Sequence, residues 1–294
     1  MRVTGTSGGA FYIRALANAV FLSDSVFGYK AGAYIGTSSG AIISFVASVL
    51  GVKKMWAAAQ SINPLEAISG SPFDTDGNVT IWAKARAVFG GFPVKQSVTP
   101  ILQKIVTKGD FEAWKRRSGA AKCFITTANL DKGKRCIINL AECSYSDAFL
   151  WIEASCAMQK IVKPVLCPDD CYHWDGGQYD HNPTHCIFEK LEVSQVLSVN
   201  SRPEHWESKE RNMKGVGLFG CIGRDEELGS VEKANNDRLQ LLDNCRKSGI
   251  NPIEVFIERV LKHPYDASDE GQAMAVKAAE IGVAAAFKKH EQNT

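Results

Sequence analysis

Gly36-Thr37-Ser38-Ser39-Gly40 stands between a short apolar run, Ala33-Tyr34-Ile35, and an apolar helical pattern that begins near Ala41. A strand that passes so abruptly into a helix forces the residue at the turn into a strained backbone conformation. The GxSxG spacing places glycines, Gly36 and Gly40, where side chains would clash. The Ser38 hydroxyl then projects at a helix N-terminus, where free amides and the helix dipole favour developing negative charge. A chance glycine-serine turn is the alternative, and the flanking strand and helix weigh against it.

The rest of the chain continues this alternation of short apolar runs with longer helical patterns. It predicts an α/β, three-layer sandwich with a mainly parallel central sheet flanked by helices, formed by residues 1–294 as one domain. Strands are expected from Val3, over Ala33–Ile35, Lys122–Thr127, Arg135–Leu140 and Val193–Asn200, and around Ile253–Ile257. Lys122–Thr127 and Arg135–Leu140 form a hairpin through Asp131-Lys132-Gly133-Lys134. Helices are expected over Ala10–Phe21, Ser39–Leu50, Ser146–Ala157 with Ser146 as N-cap, Val231–Arg246 and Ser268–Phe287. Ile68–Thr80, rich in Gly, Pro and Asp, reads as a surface loop able to serve as a lid. A hydrophobic share of 45% over 294 residues is enough for one substantial core.

Two further glycine turns carry chemistry. Gly5-Thr6-Ser7-Gly8-Gly9 lies between a strand and a helix, and its glycines let amides crowd around a ligand oxygen, as an oxyanion hole or a phosphate cradle requires. Asp175-Gly176-Gly177, followed by Asn182-Pro183, fixes an aspartate at a turn from which it can take the Ser38 proton without a histidine between them. Alone, an Asp-Gly turn is ordinary.

Taken together, the three segments resemble the patatin-like phospholipases, in order and in spacing. Ala154-Ser155-Cys156-Ala157 leading to Pro164-Val165, Asn182-Pro183 and the closing helix Ser268–Phe287 extend the resemblance over nearly the whole chain. The departures are a glycine loop without a basic residue, Gln159 in place of a proline, and His181 in place of an asparagine. The resemblance implies a lipid acyl hydrolase of the phospholipase A type with Ser38 as nucleophile and Asp175 as base. It implies oxyanion donors among Thr6, Ser7, Gly8, Gly9 and Ser39, and products that are a fatty acid and a lysolipid or alcohol. Neither a metal nor an organic cofactor is expected, and the partner is a lipid substrate at a membrane surface.

Other readings compete. A Ser-His-Asp triad in a non-lipid esterase would draw on His205, His263 or His290. Cys167, Cys171, His173, His181, His185 and Cys186 surround Asp175 closely enough to raise a structural metal, although their spacing fits no standard zinc module. A metal-stabilised binding module is therefore the non-enzyme alternative. Gly215-Val216-Gly217-Leu218-Phe219-Gly220 fits GxGxxG but follows a charged run rather than a strand, and reads as a loop. Trp82, Phe89 and Phe92 fit either core packing or contact with lipid.

With 34 basic and 32 acidic residues, a formal charge of +2 gives no case for nucleic-acid binding. The opening residues carry no leader pattern, and no apolar run reaches the length of a membrane span. A cytoplasmic location, soluble or peripheral to membranes, and free thiols for the nine cysteines are accordingly expected.

Overall fold

A computed structural model describes residues 1–9, 12–62, 64–69, 95–159, 161–204, 218–258 and 268–292. In chain order, the strands are β1 Arg2–Thr6, β2 Ala33–Gly36, β3 Ile68–Ser69, β4 Lys95–Gln96, β5 Lys122–Asn129, β6 Lys134–Asn139, β7 Val165–Leu166, β8 Tyr172–Asp175, β9 Gln195–Asn200 and β10 Ile253–Phe256. The helices are α1 Ile13–Ser25, α2 Ser39–Leu50, α3 Val52–Ser61, α4 Thr99–Ile105, α5 Lys108–Arg116, α6 Tyr145–Ser155, α7 Leu218–Lys247 and α8 Asp269–Gln292.

Eight strands form one sheet in the order β10-β9-β1-β2-β5-β8-β7, with β6 also on β5, while β3 and β4 pair separately. The run from β10 to β5 is parallel, and β6, β7 and β8 join it antiparallel. Parallel strands need both faces covered, and alternation along the strands meets that need. Tyr34, Cys123, Ile125 and Leu197 point into a core shared with Leu16, Phe45, Phe111, Phe149 and Val283. Their neighbours Ala33, Ile35, Phe124 and Val196 face the opposite layer, made by α7 and the 3-10 turn Pro183–Glu189. Each fully buried side chain such as Phe45 or Ile35 contributes about 1.5–3 kcal/mol through removal from water. The expected three-layer α/β sandwich with a mainly parallel sheet is the observed one.

Local differences have local causes. Ser144, rather than Ser146, caps α6, because its side chain reaches the Asp147 amide at 3.1 Å. The strand expected from Val193 starts at Gln195, which pairs with Arg2, the first residue of β1. The helix expected at Val231 already runs from Leu218, which places the second half of the GxGxxG pattern within α7. Helices α3, α4 and α5 fall where no element was anticipated. Gly51, at φ 85°, makes the break between α2 and α3, and Thr107 with Asp110 forms a capping box at α5. Most of the lid candidate Ile68–Thr80, with Trp82, Phe89, Phe92 and Gly215–Gly217, lies outside the described residues.

One topological detail positions the site. β6 occupies one edge of β5 along Phe124–Asn129. On the other edge, Ile125 pairs with Gly36 of β2, and Thr127 pairs with Asp175 of β8. Because β2 runs parallel to β5 and β8 antiparallel, their C-terminal ends approach head-on along that edge. Ser38 follows β2 by two residues, and Asp175 ends β8.

Candidate active site

At the end of β2 the chain turns through Ser38, which adopts φ 56° and ψ −125°, outside the regions open to ordinary L-residues. Such a backbone costs of order 1–3 kcal/mol and persists only where its surroundings dictate it. Here they do. Thr6 Oγ1 donates to the Gly40 carbonyl at 3.0 Å, tying α2 to β1, and Ser155 Oγ accepts the Ser38 amide at 3.1 Å while donating to the Thr126 carbonyl at 2.8 Å. A Cβ at Gly40 would come within 2.6 Å of the Ser7 carbonyl, and one at Gly36 within 2.7 Å of Ser44 Oγ. Glycine is required at both positions by this close packing.

Asp175 reaches the same point from β8. Its amide donates to the Ala157 carbonyl at 2.9 Å, its carboxylate accepts from the Gly177 amide at 2.8 Å, and the Ser38 hydroxyl lies near enough to favour its ionised form. Gly176 packs flat on the Thr126 backbone, where a side chain would collide with the carbonyl oxygen at 2.6 Å. Burial pushes the Asp175 carboxyl up to about 6, against the lowering effect of the Gly177 amide and the Ser38 hydroxyl. A buried carboxylate in contact with a hydroxyl and titrating near neutral pH is equipped to accept that hydroxyl's proton.

The glycine loop after β1 lies beside Ser38, and a Cβ at Gly8 would stand 3.3 Å from the Ser38 Cβ. Two of its amides are already engaged, however: Ser7 donates to the Val199 carbonyl and Gly8 to the His181 carbonyl, each at 3.0 Å. The Thr6 hydroxyl is spent on α2, and the Ser7 hydroxyl on Ser201. Gly9 and Ser39 differ, because their amides have no backbone partner among the described residues, and the buried Ser39 hydroxyl has none either.

The described histidine rings are engaged by other groups. His173 spends both ring nitrogens on Thr127, Asn129 and Asp169, and His181 Nε2 accepts from Arg202 Nε at 3.0 Å. Burial, with Arg202 and Lys233 nearby, pushes His181 down to about 3, so its ring is neutral. His290 shares a cleft with Arg2 and Gln195 at the N-terminal ends of β1 and β9, the opposite end of the sheet from Ser38. His205 and His263 lie outside the described residues.

Of the metal-ligand candidates, His185 and Cys186 gather with Asp180, their ligand atoms within 4.8 Å of one another. Cys167, Cys171, His173 and His181 are not part of that group. The cation that Asp180 faces here is the Arg135 guanidinium, 3.0 Å away and 3.3 Å from His185 Nε2, which competes directly with a metal for the same donors. The described cysteines are free thiols, as expected. No described helix is long and apolar enough to cross a membrane.

Sequence reasoning singled out Ser38, Asp175 and their glycines. It missed Ser201 altogether and had Ser155 only as part of a resembling segment, since a serine that serves backbone groups from a distant strand or helix leaves no local signature.

No protein-family model matches the chain, and no curated protein does. Its fold is similar to that of a solved structure, VipD from Legionella pneumophila, over 98% of this chain and 67% of that one, with a TM-score of 0.55 and 14% identity. At that identity the likeness is one of fold.

Proposed function

We propose that the chain is a lipid acyl hydrolase of the phospholipase A type, working through Ser38 and Asp175. The observation that carries this reading is the strained Ser38, set beside the buried Asp175 carboxylate with no imidazole between them among the described residues. Ser38 Oγ attacks the acyl carbonyl carbon as its proton passes to Asp175. The tetrahedral oxyanion is held by the amides of Gly9 and Ser39, at the N-terminus of α2. Asp175 returns the proton to the departing alkoxide, leaving the acyl group on Ser38. Water, deprotonated by Asp175, then attacks the acyl carbon, and Asp175 passes that proton to Ser38 Oγ as the Ser38–acyl bond breaks and the fatty acid leaves. Every proton and electron pair is accounted for by these groups, so the chemistry calls for no metal or organic cofactor.

The resemblance of the three glycine segments to patatin-like phospholipases supports a lipid ester as substrate, presented at a membrane surface, and the similarity of fold is consistent with it. Vesicles carrying in turn a phospholipid, a galactolipid, a neutral glyceride and a lysolipid test the proposal. Wild type is expected to release fatty acid from at least one. Ser38→Ala and Asp175→Asn are expected to lose about 10³-fold or more in turnover while remaining folded by circular dichroism. Full activity in either variant refutes the assignment.

A further inference from the structure

A trans peptide points its carbonyl and its amide in opposite directions, so whatever holds a carbonyl on one side aims the next N–H to the other. After β1, the Gly8 carbonyl accepts from Ser201 Oγ at 2.6 Å. Ser201 is itself fixed, because its amide donates to Ser7 Oγ at 2.8 Å and Ser7 Oγ donates to Ser201 Oγ at 3.1 Å, both residues being buried. β9, which leads into Ser201, lies on one side of β1, and β2, which leads into Ser38, lies on the other. A Gly8 carbonyl turned towards β9 therefore leaves the Gly9 amide turned towards Ser38. The glycine contacts agree, since a Cβ at Gly9 would press on Ser201 at 2.8 Å and one at Gly8 on Ser38 at 3.3 Å.

We propose that Ser201 is a positioning residue of the oxyanion hole, which turns the Gly8–Gly9 peptide so that the Gly9 amide faces the reacting carbonyl, with Ser7 as its brace. This rests on the hydrolase reading above. A merely structural role, fastening β9 to β1, is already filled by the parallel ladder from Arg2 to Thr6 and by the Ser7 amide on Val199.

Hydrolysis of a water-soluble p-nitrophenyl butyrate, with inhibition by butylboronic acid as a tetrahedral mimic, separates the two roles. Ser201→Ala is expected to lower kcat about 10- to 100-fold with KM within about twofold, and to weaken boronate inhibition in parallel. Ser7→Ala, which removes the brace, is expected to give a smaller loss of the same kind. Wild-type kcat in Ser201→Ala, or a raised KM with kcat unchanged, overturns the inference. Should Ser201→Ala fail to fold, wild-type kcat in Ser7→Ala overturns it equally. Ser38→Ala in the same assay keeps the two levels apart. Full turnover there removes the hydrolase reading and this inference with it, whereas its loss beside a fully active Ser201→Ala removes this inference alone.

Discussion

Asp175 and Asp180 stand five residues apart and are buried to the same degree, 7% and 4% exposed, yet they are set up for different work. Asp180 faces the guanidinium of Arg135 at 3.0 Å, and Arg135 also holds Glu189 at 2.7 Å. Asp175 meets instead an amide and a hydroxyl, with burial as the dominant influence on its proton. Burial alone thus does not make a base. A buried carboxylate with a cation beside it is committed to that ion pair, whereas Asp175, with only neutral donors, holds a proton close to physiological pH and can exchange it.

The largest test of this contrast is the pH profile of kcat/KM. Below about 6, protonation of Asp175 is expected to remove activity roughly tenfold per pH unit, reaching about a hundredfold at pH 4. A limb close to the ordinary carboxylate value of 3.8 would mean that burial does not raise Asp175 and would remove its claim to act as a base. Next in size, Arg135→Met strands the Asp180 charge, and unfolding in urea is expected to show a loss of about 2–4 kcal/mol, reduced from a fully buried pair because Arg135 keeps partial contact with water. A loss under about 0.5 kcal/mol would mean that solvent already screens Asp180.

Asp237 on α7 supplies the smallest and sharpest comparison. It accepts the Asn182 amide at 2.9 Å, and burial, with Asp180 nearby, pushes it up to about 7. A folded-state value above the ordinary 3.8 means that the folded chain binds this proton more tightly than the unfolded one. Stability from this group is therefore greatest in acid and declines as pH rises from about 4 to about 7. Asp237→Asn keeps an acceptor for Asn182 without the charge. Its melting temperature is expected to match wild type near pH 4 and to exceed it by several degrees at pH 8. An advantage that is larger in acid would reverse the assignment.

How much of this was legible in the sequence follows the reach of each interaction. Helix α2 runs over Ser39–Leu50 as anticipated, because the elbow that opens it and Gly51 that closes it are both local. The β5–β6 hairpin was likewise announced by its turn, where Gly133 takes φ 60°. The short amphipathic helices α3 to α5 escaped notice, although the Thr107–Asp110 capping box offered a signal for the last of them. That Ser38 and Asp175 belong together came from resemblance rather than from any local pattern. What brings them together is the shared edge of β5, a pairing between residues far apart in the chain. The engagement of the Ser7 and Gly8 amides by Val199 and His181 was invisible for the same reason, since a turn's own residues do not name the carbonyls that will face it.

The head-on meeting of β2 and β8 makes strand length a tolerance as well as a scaffold. A slip of β8 by one residue along β5 would carry the Asp175 carboxylate about 3.4 Å and turn it to the other face of the sheet. Extra or missing residues can be absorbed in the reversal between β5 and β6, where Asp131 to Gly133 sit in the turn, but not within Tyr172–Asp175. That four-residue strand is in effect a gauge, cut to a single length.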